Sequence, residues 1–454
     1  MDYGEKNILV LGAGSSGIGA AWVLAQLHAN VVLNDYKPVE FESSTRKKLD
    51  DAGVTIITGR QDNSLLNGVD RIVISPGIAL SIPIVQEAFN RHIEVVSEVE
   101  LAYDVCKSPI LGVTGTNGKT TTTTLLTQVM ESTGLPIKVG GNIGDSLSEA
   151  AFNMPEGGYL IAELSSYQLE TIKSFCPLGA IVLNVTPDHL ARHKTMENYA
   201  AAKARIFMNQ NAENFVVLND DDPIVAAMKK DVHSKILSIS QHHKVECGAY
   251  FEGNTCYAVL NGNVISVIDT EQIHIKGAHN IENILSVIAL TYALGVDVER
   301  IKRTIENFHG VEHRLERVTT IHDVTFYNDS KATNTDSVVK ALDAFDKPVI
   351  LLAGGHDKMT PLEDFMNVVK KNTKEVIFMG EAADRFESVA TKVGVTNIHR
   401  AQSMKEAVEL GYKLAEPSDI VLLSPACSSF DWYSCFEERG DDFKKCVKEL
   451  EERG

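Results

Sequence analysis

The sequence predicts an α/β protein of three domains, and three observations carry that prediction. A chain of 454 residues corresponds to about three domains of ordinary size. Short β-branched runs alternate with helix-forming stretches along most of it, the pattern of parallel strands joined by crossover helices. Many of those runs end in glycine-rich or polar turns. In open α/β sheets, ligands bind at the carboxyl ends of strands.

The first unit, residues 1–97, places strands at Asn7–Leu11, Val31–Leu33, Thr55–Ile57 and Arg71–Ile74. The turn Gly12-Ala13-Gly14-Ser15-Ser16-Gly17 follows the first strand, and Asp35 ends the second. Glycines at a pyrophosphate and an acidic residue at a ribose hydroxyl make the outline of a dinucleotide site. The outline suits NAD, FAD or a UDP-linked ligand, and a tight strand-to-helix turn without any ligand reads the same way. A second turn, Ser75-Pro76-Gly77-Ile78, follows the fourth strand and belongs to the same sheet edge.

The second unit, 98–310, opens on the most informative segment. An apolar run ending at Leu111 leads into Gly112-Val113-Thr114-Gly115-Thr116-Asn117-Gly118-Lys119-Thr120-Thr121, and residues 120–130 read as a helix. Strand, glycine turn and helix N-terminus together offer backbone N–H groups and a lysine to a polyphosphate. Thr120 supplies a hydroxyl for Mg²⁺. The strict phosphate-loop spacing requires glycine where Val113 stands, so the segment is a variant. Polar groups then recur at strand ends: Asn142 in a glycine turn, Glu163 after Leu160-Ile161-Ala162, and Asn184 to His189 after Ala180–Leu183. Singly these are strand caps, but together beside a phosphate loop they suit Mg²⁺ and phosphate. Lys203 lies in the strong helix former 198–207, which reads as a surface position; partial burial instead lowers a lysine's pKa and frees a reactive amine. A β-rich patch spans about 248–275, followed by the polar stretch 277–283.

The third unit, 311–454, alternates again, with strands at Thr325–Tyr327, Pro348–Leu352, Val376–Phe378 and Ile420–Leu423. Three of them end in polar turns, at 328–334, 354–358 and 424–431. A net charge of −18 argues against a nucleic-acid partner, whose phosphates it repels. No run reaches the roughly 18 apolar residues of a membrane span, and Asp2 and Glu5 precede the first strand, unlike a signal peptide. Seven dispersed cysteines without a C-x-x-C pair argue against disulfides and zinc. The expectation is a reduced, cytoplasmic protein.

The ordered motifs GTNGKTT (115–121), GNIG (141–144), ELSSYQLE (163–170), NVTPDHL (184–190), AAKARIF (201–207), GAHNIEN (277–283), EHR (312–314), NDSKATN (328–334), GGHDK (354–358) and SPACSSFDWYSCFEERG (424–440) resemble the Mur ligase family. The resemblance runs from Gly12 to Gly440, and its T-G-T-N-G-K-[ST] version accounts for the off-pattern phosphate loop. The GAGSSGIGA start, NDSKATN and SPACSSFD-x-x-x-x-FEERG point to the D-glutamate-adding branch. The D-N-P-R motif of diaminopimelate-adding members and the GTHGK of alanine-adding members are absent.

The resemblance implies an ATP-dependent, monomeric ligase that joins D-glutamate to UDP-N-acetylmuramoyl-L-alanine through an acyl phosphate. The first unit then holds the UDP through Ser15, Ser16, Asp35, Tyr36, Ser75 and Gly77, with Tyr36-Lys37 replacing a Thr-Arg of some relatives. Asn142 and His189 position the muramoyl part. Gly115, Thr116, Asn117, Gly118, Lys119, Thr120 and Thr121 bind ATP together with Asn280, Asn283, Arg314, Asp329 and Lys331, with Asn283 the better match for the adenine contact. Thr120 and Glu163 are implied ligands of one Mg²⁺; Glu163, His189 and a carbamylated Lys203 surround a second. Thr333, Lys358, Ser429, Phe430 and Phe436 are implied contacts of D-glutamate. ATP and D-glutamate would draw on different domains, which implies closure of the third onto the second.

Overall fold

The computed structural model describes residues 2–142, 144–275, 277–357, 359 and 361–453, without the side chains of Ala191 and Asp336. Lys358, expected at D-glutamate, lies outside the described residues. The α/β class and three-domain plan hold: the described strands form three separate sheets, each mainly parallel.

The first sheet contains β1 (Asn7–Leu11), β2 (Asn30–Asp35), β3 (Thr55–Thr58), β4 (Arg71–Ile74) and β5 (Glu94–Ser97), in the order β3-β2-β1-β4-β5. The strand order reverses between β1 and β4, where the fold opens a crevice at the carboxyl ends. Both glycine turns lie there, joined by the Ser75 N–H donating to the Leu11 carbonyl at 2.9 Å. Strand β5 escaped the sequence reading, because four residues beginning with a glutamate carry little apolar signal.

The second sheet has nine strands: β6 (Ile110–Thr114), β7 (Ile137–Gly141), β8 (Tyr159–Glu163), β9 (Gly179–Val182), β10 (Phe215–Asn219), β11 (Lys235–Ser240), β12 (Gly248–Glu252), β13 (Thr255–Leu260) and β14 (Asn263–Asp269). Their order is β14-β13-β12-β11-β10-β9-β6-β8-β7, and among the described strands only the β12–β13 and β13–β14 pairs are antiparallel. Strand β6 lies between β8 and β9, pairing Val113 with Glu163 and Thr114 with Val182. That register brings the phosphate loop, Glu163 and the Asn184 turn to one edge, and Gly141 of β7 also pairs with Glu163.

The third sheet runs β15-β16-β20-β17-β18-β19, from β15 (Glu316–Ile321), β16 (Val324–Asn328), β17 (Val349–Gly354), β18 (Thr373–Met379), β19 (Ile398–Ala401) and β20 (Ile420–Leu423). Only β15 is antiparallel. The neighbours β16, β20 and β17 end together, so the polar turns that follow them are adjacent.

The chain divides into two compact units. One holds the first two sheets, with residues up to Ile273 and Ala278–Phe308; the other runs from His309 and includes residues 274–277. Within the first unit, the helix Glu98–Val105 ties the two sheets together. Its buried Glu100 accepts the backbone N–H groups of Lys173, Ser174 and Phe175 at 2.8, 2.6 and 3.2 Å.

Candidate active site

The phosphate loop is built by local rules. Gly118 has φ +81° and caps the helix Lys119–Glu131 in the left-handed region, which glycine adopts without strain. A Cβ there would stand 2.2 Å from the Asn283 Oδ1, so space also demands glycine. No side chain caps the first turn of that helix and no acid lies in it, which leaves its end suited to an anion. Asn184 fixes the loop from below: its carbonyl accepts Thr116 N–H at 2.9 Å and its Oδ1 accepts Asn117 N–H at 2.8 Å. The Thr122 hydroxyl donates to Asn283 Oδ1 at 3.1 Å, and Asn283 Nδ2 donates to Asn280 Oδ1 at 3.1 Å. Asn283 is therefore positioned on the phosphate-loop helix.

Two lysines converge on one carbonyl. Lys119 Nζ donates to the Gly115 and Thr116 carbonyls, each at 2.9 Å, and Lys203 Nζ donates to the Gly115 carbonyl at 2.7 Å. The surface reading of Lys203 is corrected here, since it is only 1% exposed. Helix propensity gives no sign of which face is covered, and the helix Met196–Ala204 packs that face inward. Its ammonium lies 4.5 Å from the Tyr199 ring centroid, and the Tyr199 hydroxyl meets Thr116 Oγ1 at 3.1 Å. Burial, then the charge of Lys119, holds the Lys203 pKa well below the usual lysine range against the pull of Asp188.

Glu163 is 1% exposed. Its Oε1 accepts Asn142 Nδ2 at 2.9 Å, while its buried Oε2 meets no hydrogen-bond donor. A buried carboxylate oxygen without a partner is costly, and a hard cation removes that cost. Thr120 is buried on the neighbouring helix turn. Among the described residues, no three His, Cys, Asp or Glu side chains cluster as metal ligands, so a metal here would also draw on hydroxyl, modified-lysine or phosphate oxygens.

His189 is half-exposed and has φ +55°, an unfavourable backbone for a residue with a Cβ. Its ring lies 4.9 Å from that of Tyr167 and 6.1 Å from that of Tyr199. Burial lowers its pKa despite nearby Asp188, and Lys203 and Lys119 add to the lowering.

In the first domain, Gly12 has φ +97°, and a Cβ would meet Ser75 at 2.7 Å. At Gly17 a Cβ would stand 1.8 Å from the Gly12 carbonyl oxygen. The first turn therefore fits against Ser75 only with glycine at 12 and 17. Asp35 Oδ2 accepts the Ala13 N–H at 2.9 Å. Ser15 and Ser16 open the helix Ser15–Gln26, Ser75 and Gly77 lie in the facing turn, and Tyr36 is 70% exposed at the rim.

In the unit that runs from His309, Asp329 is buried, accepting the Ser424 hydroxyl at 2.7 Å and the Leu315 N–H at 3.2 Å. Burial pushes its pKa up to about 7. Arg314 follows the buried His313, and Lys331 Nζ lies 5.6 Å from the Phe436 ring centroid. Thr333 sits in the turn after β16. Ser429 is buried and Phe430 exposed after β20.

Three family models cover the chain: a Mur ligase MurD-like N-terminal domain at residues 6–97, a Mur ligase middle domain at 113–291, and a Mur ligase glutamate ligase domain at 313–427. This chain belongs to the Mur ligase family. It is 41% identical to a UDP-N-acetylmuramoylalanine--D-glutamate ligase of Thermoanaerobacter pseudethanolicus, over 99% of this chain and 100% of that protein. The protein of the same name from Clostridioides difficile is 39% identical over the same shares. The fold is shared with UDP-N-acetylmuramate-alanine ligase MurC of Thermotoga maritima (TM-score 0.59, 18% identity, 98% and 99% of the two chains). It is shared also with MurF of Acinetobacter baumannii (TM-score 0.60, 16% identity, 96% and 93%).

Two arginines of this Mur ligase were not singled out from sequence. Arg192 Nη1 donates to the Pro76 carbonyl at 2.7 Å and Nη2 to the Ile78 carbonyl at 3.0 Å, while the guanidinium pairs with Glu170 and stacks 4.3 Å from the Tyr167 ring. It thus joins the second turn of the first domain to the His189 segment. Arg439 is 2% exposed and donates to Ser330 Oγ, the Ser330 carbonyl and the Cys427 carbonyl at 2.9, 2.8 and 3.1 Å. It clamps the turns after β16 and β20. It stood inside the quoted FEERG motif, and no local signal marks a charged helical residue as buried.

Proposed function

We propose that this Mur ligase adds D-glutamate to UDP-N-acetylmuramoyl-L-alanine, forming ADP and phosphate, in the cytoplasmic stage of peptidoglycan synthesis. The observation that carries the substrate assignment is identity of about 40% along the whole chain with relatives bearing that name. The phosphate loop, Glu163 and the paired lysines at one sheet edge support the chemistry. No helix among the described residues is long and apolar enough to cross a membrane. We take the domains as 1–97, 98–310 and 311–454.

In the first step the alanyl carboxylate attacks the γ-phosphate of ATP, releasing ADP and leaving an acyl phosphate. In the second, the D-glutamate amine attacks the activated carbonyl, and phosphate leaves from the tetrahedral adduct. Two anions meet in the first step, so catalysis must come largely from positioning and positive charge. Lys119 supplies part of that charge at the phosphate loop. Mg²⁺, when bound, screens the reacting oxygens; Thr120 and Glu163 are the proposed holders of one ion, and Glu163, His189 and Lys203 surround the second. The unpartnered Glu163 Oε2 supports this fit. The depressed pKa of Lys203 favours the neutral amine, which can attack CO₂ and lose a proton to give a carbamate with oxygen donors.

Asn142 and His189 orient the muramoyl substrate, whose UDP contacts Ser15, Ser16, Asp35, Tyr36, Ser75 and Gly77. Gly115 to Thr121, Asn283, Arg314, Asp329 and Lys331 serve ATP; Thr333, Lys358, Ser429, Phe430 and Phe436 serve D-glutamate. A coupled assay tests the assignment: ADP release should require both UDP-N-acetylmuramoyl-L-alanine and D-glutamate. Equal turnover with L-lysine or meso-diaminopimelate would overturn it.

A further inference from the structure

Two buried carboxylates lie on the helix Glu98–Val105, and they are satisfied differently. Residues two apart on a helix face nearly opposite sides. Glu100 has its oxygens filled by three backbone N–H groups and the Ser174 hydroxyl, the arrangement of a structural clamp. Glu98, 1% exposed, accepts the Ser148 N–H and hydroxyl on Oε1, both at 2.9 Å. Its Oε2 has no hydrogen-bond partner. Ser148 lies in the second domain's helix Leu147–Phe152, which Ser146 caps, whereas Gly19 lies on the helix Ser15–Gln26 that follows the first glycine turn. The approach is close: a Cβ on Gly19 would stand 1.8 Å from Ser146 Oγ.

We infer that Glu98 is a positioning residue for the UDP-linked substrate: it fixes the N-terminus of the second domain's helix Leu147–Phe152, whose cap Ser146 packs against Gly19 of the helix that follows the first glycine turn. The inference rests on the proposed function, which gives the turn its ligand. A junction needing only cohesion is served more cheaply by apolar packing, because burying an under-satisfied carboxylate is costly. The cost falls where the start of the helix Leu147–Phe152 must be held against the helix that follows the first glycine turn.

The test is calorimetric titration of the full-length protein with UDP-N-acetylmuramoyl-L-alanine, beside steady-state kinetics for all three substrates. Glu98→Ala should weaken binding of that substrate about tenfold, with KM for ATP and D-glutamate and kcat changed less than about threefold. Glu98→Gln, which keeps the acceptor for Ser148, should recover most of the loss. If Glu98→Ala fails to fold, Glu98→Asp serves: withdrawing the carboxylate by one methylene should raise the same KM alone. Variants that bind the UDP-linked substrate like wild type, or that shift all three KM values together, overturn the inference. A wild type that does not bind this substrate instead removes the proposed function.

Discussion

Replacing Lys203 by alanine tests the site most directly. The substitution deletes a side chain that is 1% exposed, its 2.7 Å hydrogen bond to the Gly115 carbonyl and its contact with the Tyr199 ring. A hydrogen bond of this kind is worth about 0.5–1.5 kcal/mol, and the truncation adds a cavity cost. Against these stands relief of a polar amine buried near Lys119. These terms oppose one another, so net destabilisation should stay within about 2 kcal/mol, and the variant should fold. Activity is expected to behave differently. If Lys203 carries a carbamate that organises the reacting phosphate, its loss should lower kcat at least about 100-fold, or about 2.7 kcal/mol of barrier. The vacated space is lined by the groups that faced the carbamate, so formate should restore part of the rate. ADP release with both substrates, with and without formate, is the assay, and circular dichroism verifies folding. Near-normal activity would make Lys203 structural. A folded, inactive variant indifferent to formate would refute the carbamate while leaving the residue essential.

Other perturbations probe neighbouring features. Gly118→Ala combines φ +81° with a Cβ 2.2 Å from Asn283 Oδ1; thermal unfolding should register about 1–3 kcal/mol of destabilisation, and KM for ATP should rise. Glu163→Gln keeps the shape of the side chain but removes the charge at the unpartnered Oε2; Mg²⁺ titration of activity should show a rise of tenfold or more in the concentration required, and an unchanged curve would exclude Glu163 as a ligand. Asp329, whose pKa is raised to about 7, favours the folded state fully below the unfolded carboxylate pKa near 4 and loses that contribution as pH rises through 7. Relative to Asp329→Asn, wild type should therefore lose stability between pH 4 and 8, by at most about 4 kcal/mol, and parallel Tm-against-pH curves would contradict the burial argument.

What the sequence made legible was local. The strand–glycine–helix segment at 110–131 carries its own geometry, because a left-handed Gly118 and a helix N-terminus follow from residues adjacent in the chain. The strands at Asn7–Leu11 and Arg71–Ile74 are apolar enough to be read directly, and both boundaries agree with the structure. What escaped depends on contacts between distant segments. The burial of Glu98, Lys203 and Arg439 was not legible, although the family resemblance implied Lys203 as a site residue; each is a long charged residue on a helix, a pattern that ordinarily marks a solvated face. Each is at most 2% exposed, and each bonds another segment of the chain: Ser148 at the start of the helix Leu147–Phe152, Gly115 in the phosphate loop, and Ser330 with Cys427. Helical periodicity cannot separate an outward charge from one that fills a gap between strand-end loops. Such charges are costly to bury, so they persist where a loop must be held in one arrangement. All three hold segments that follow strand ends, the edges where the family motifs cluster. A search of other Mur ligase sequences for function should therefore weigh charged helical residues that face these edges as heavily as the glycine motifs themselves.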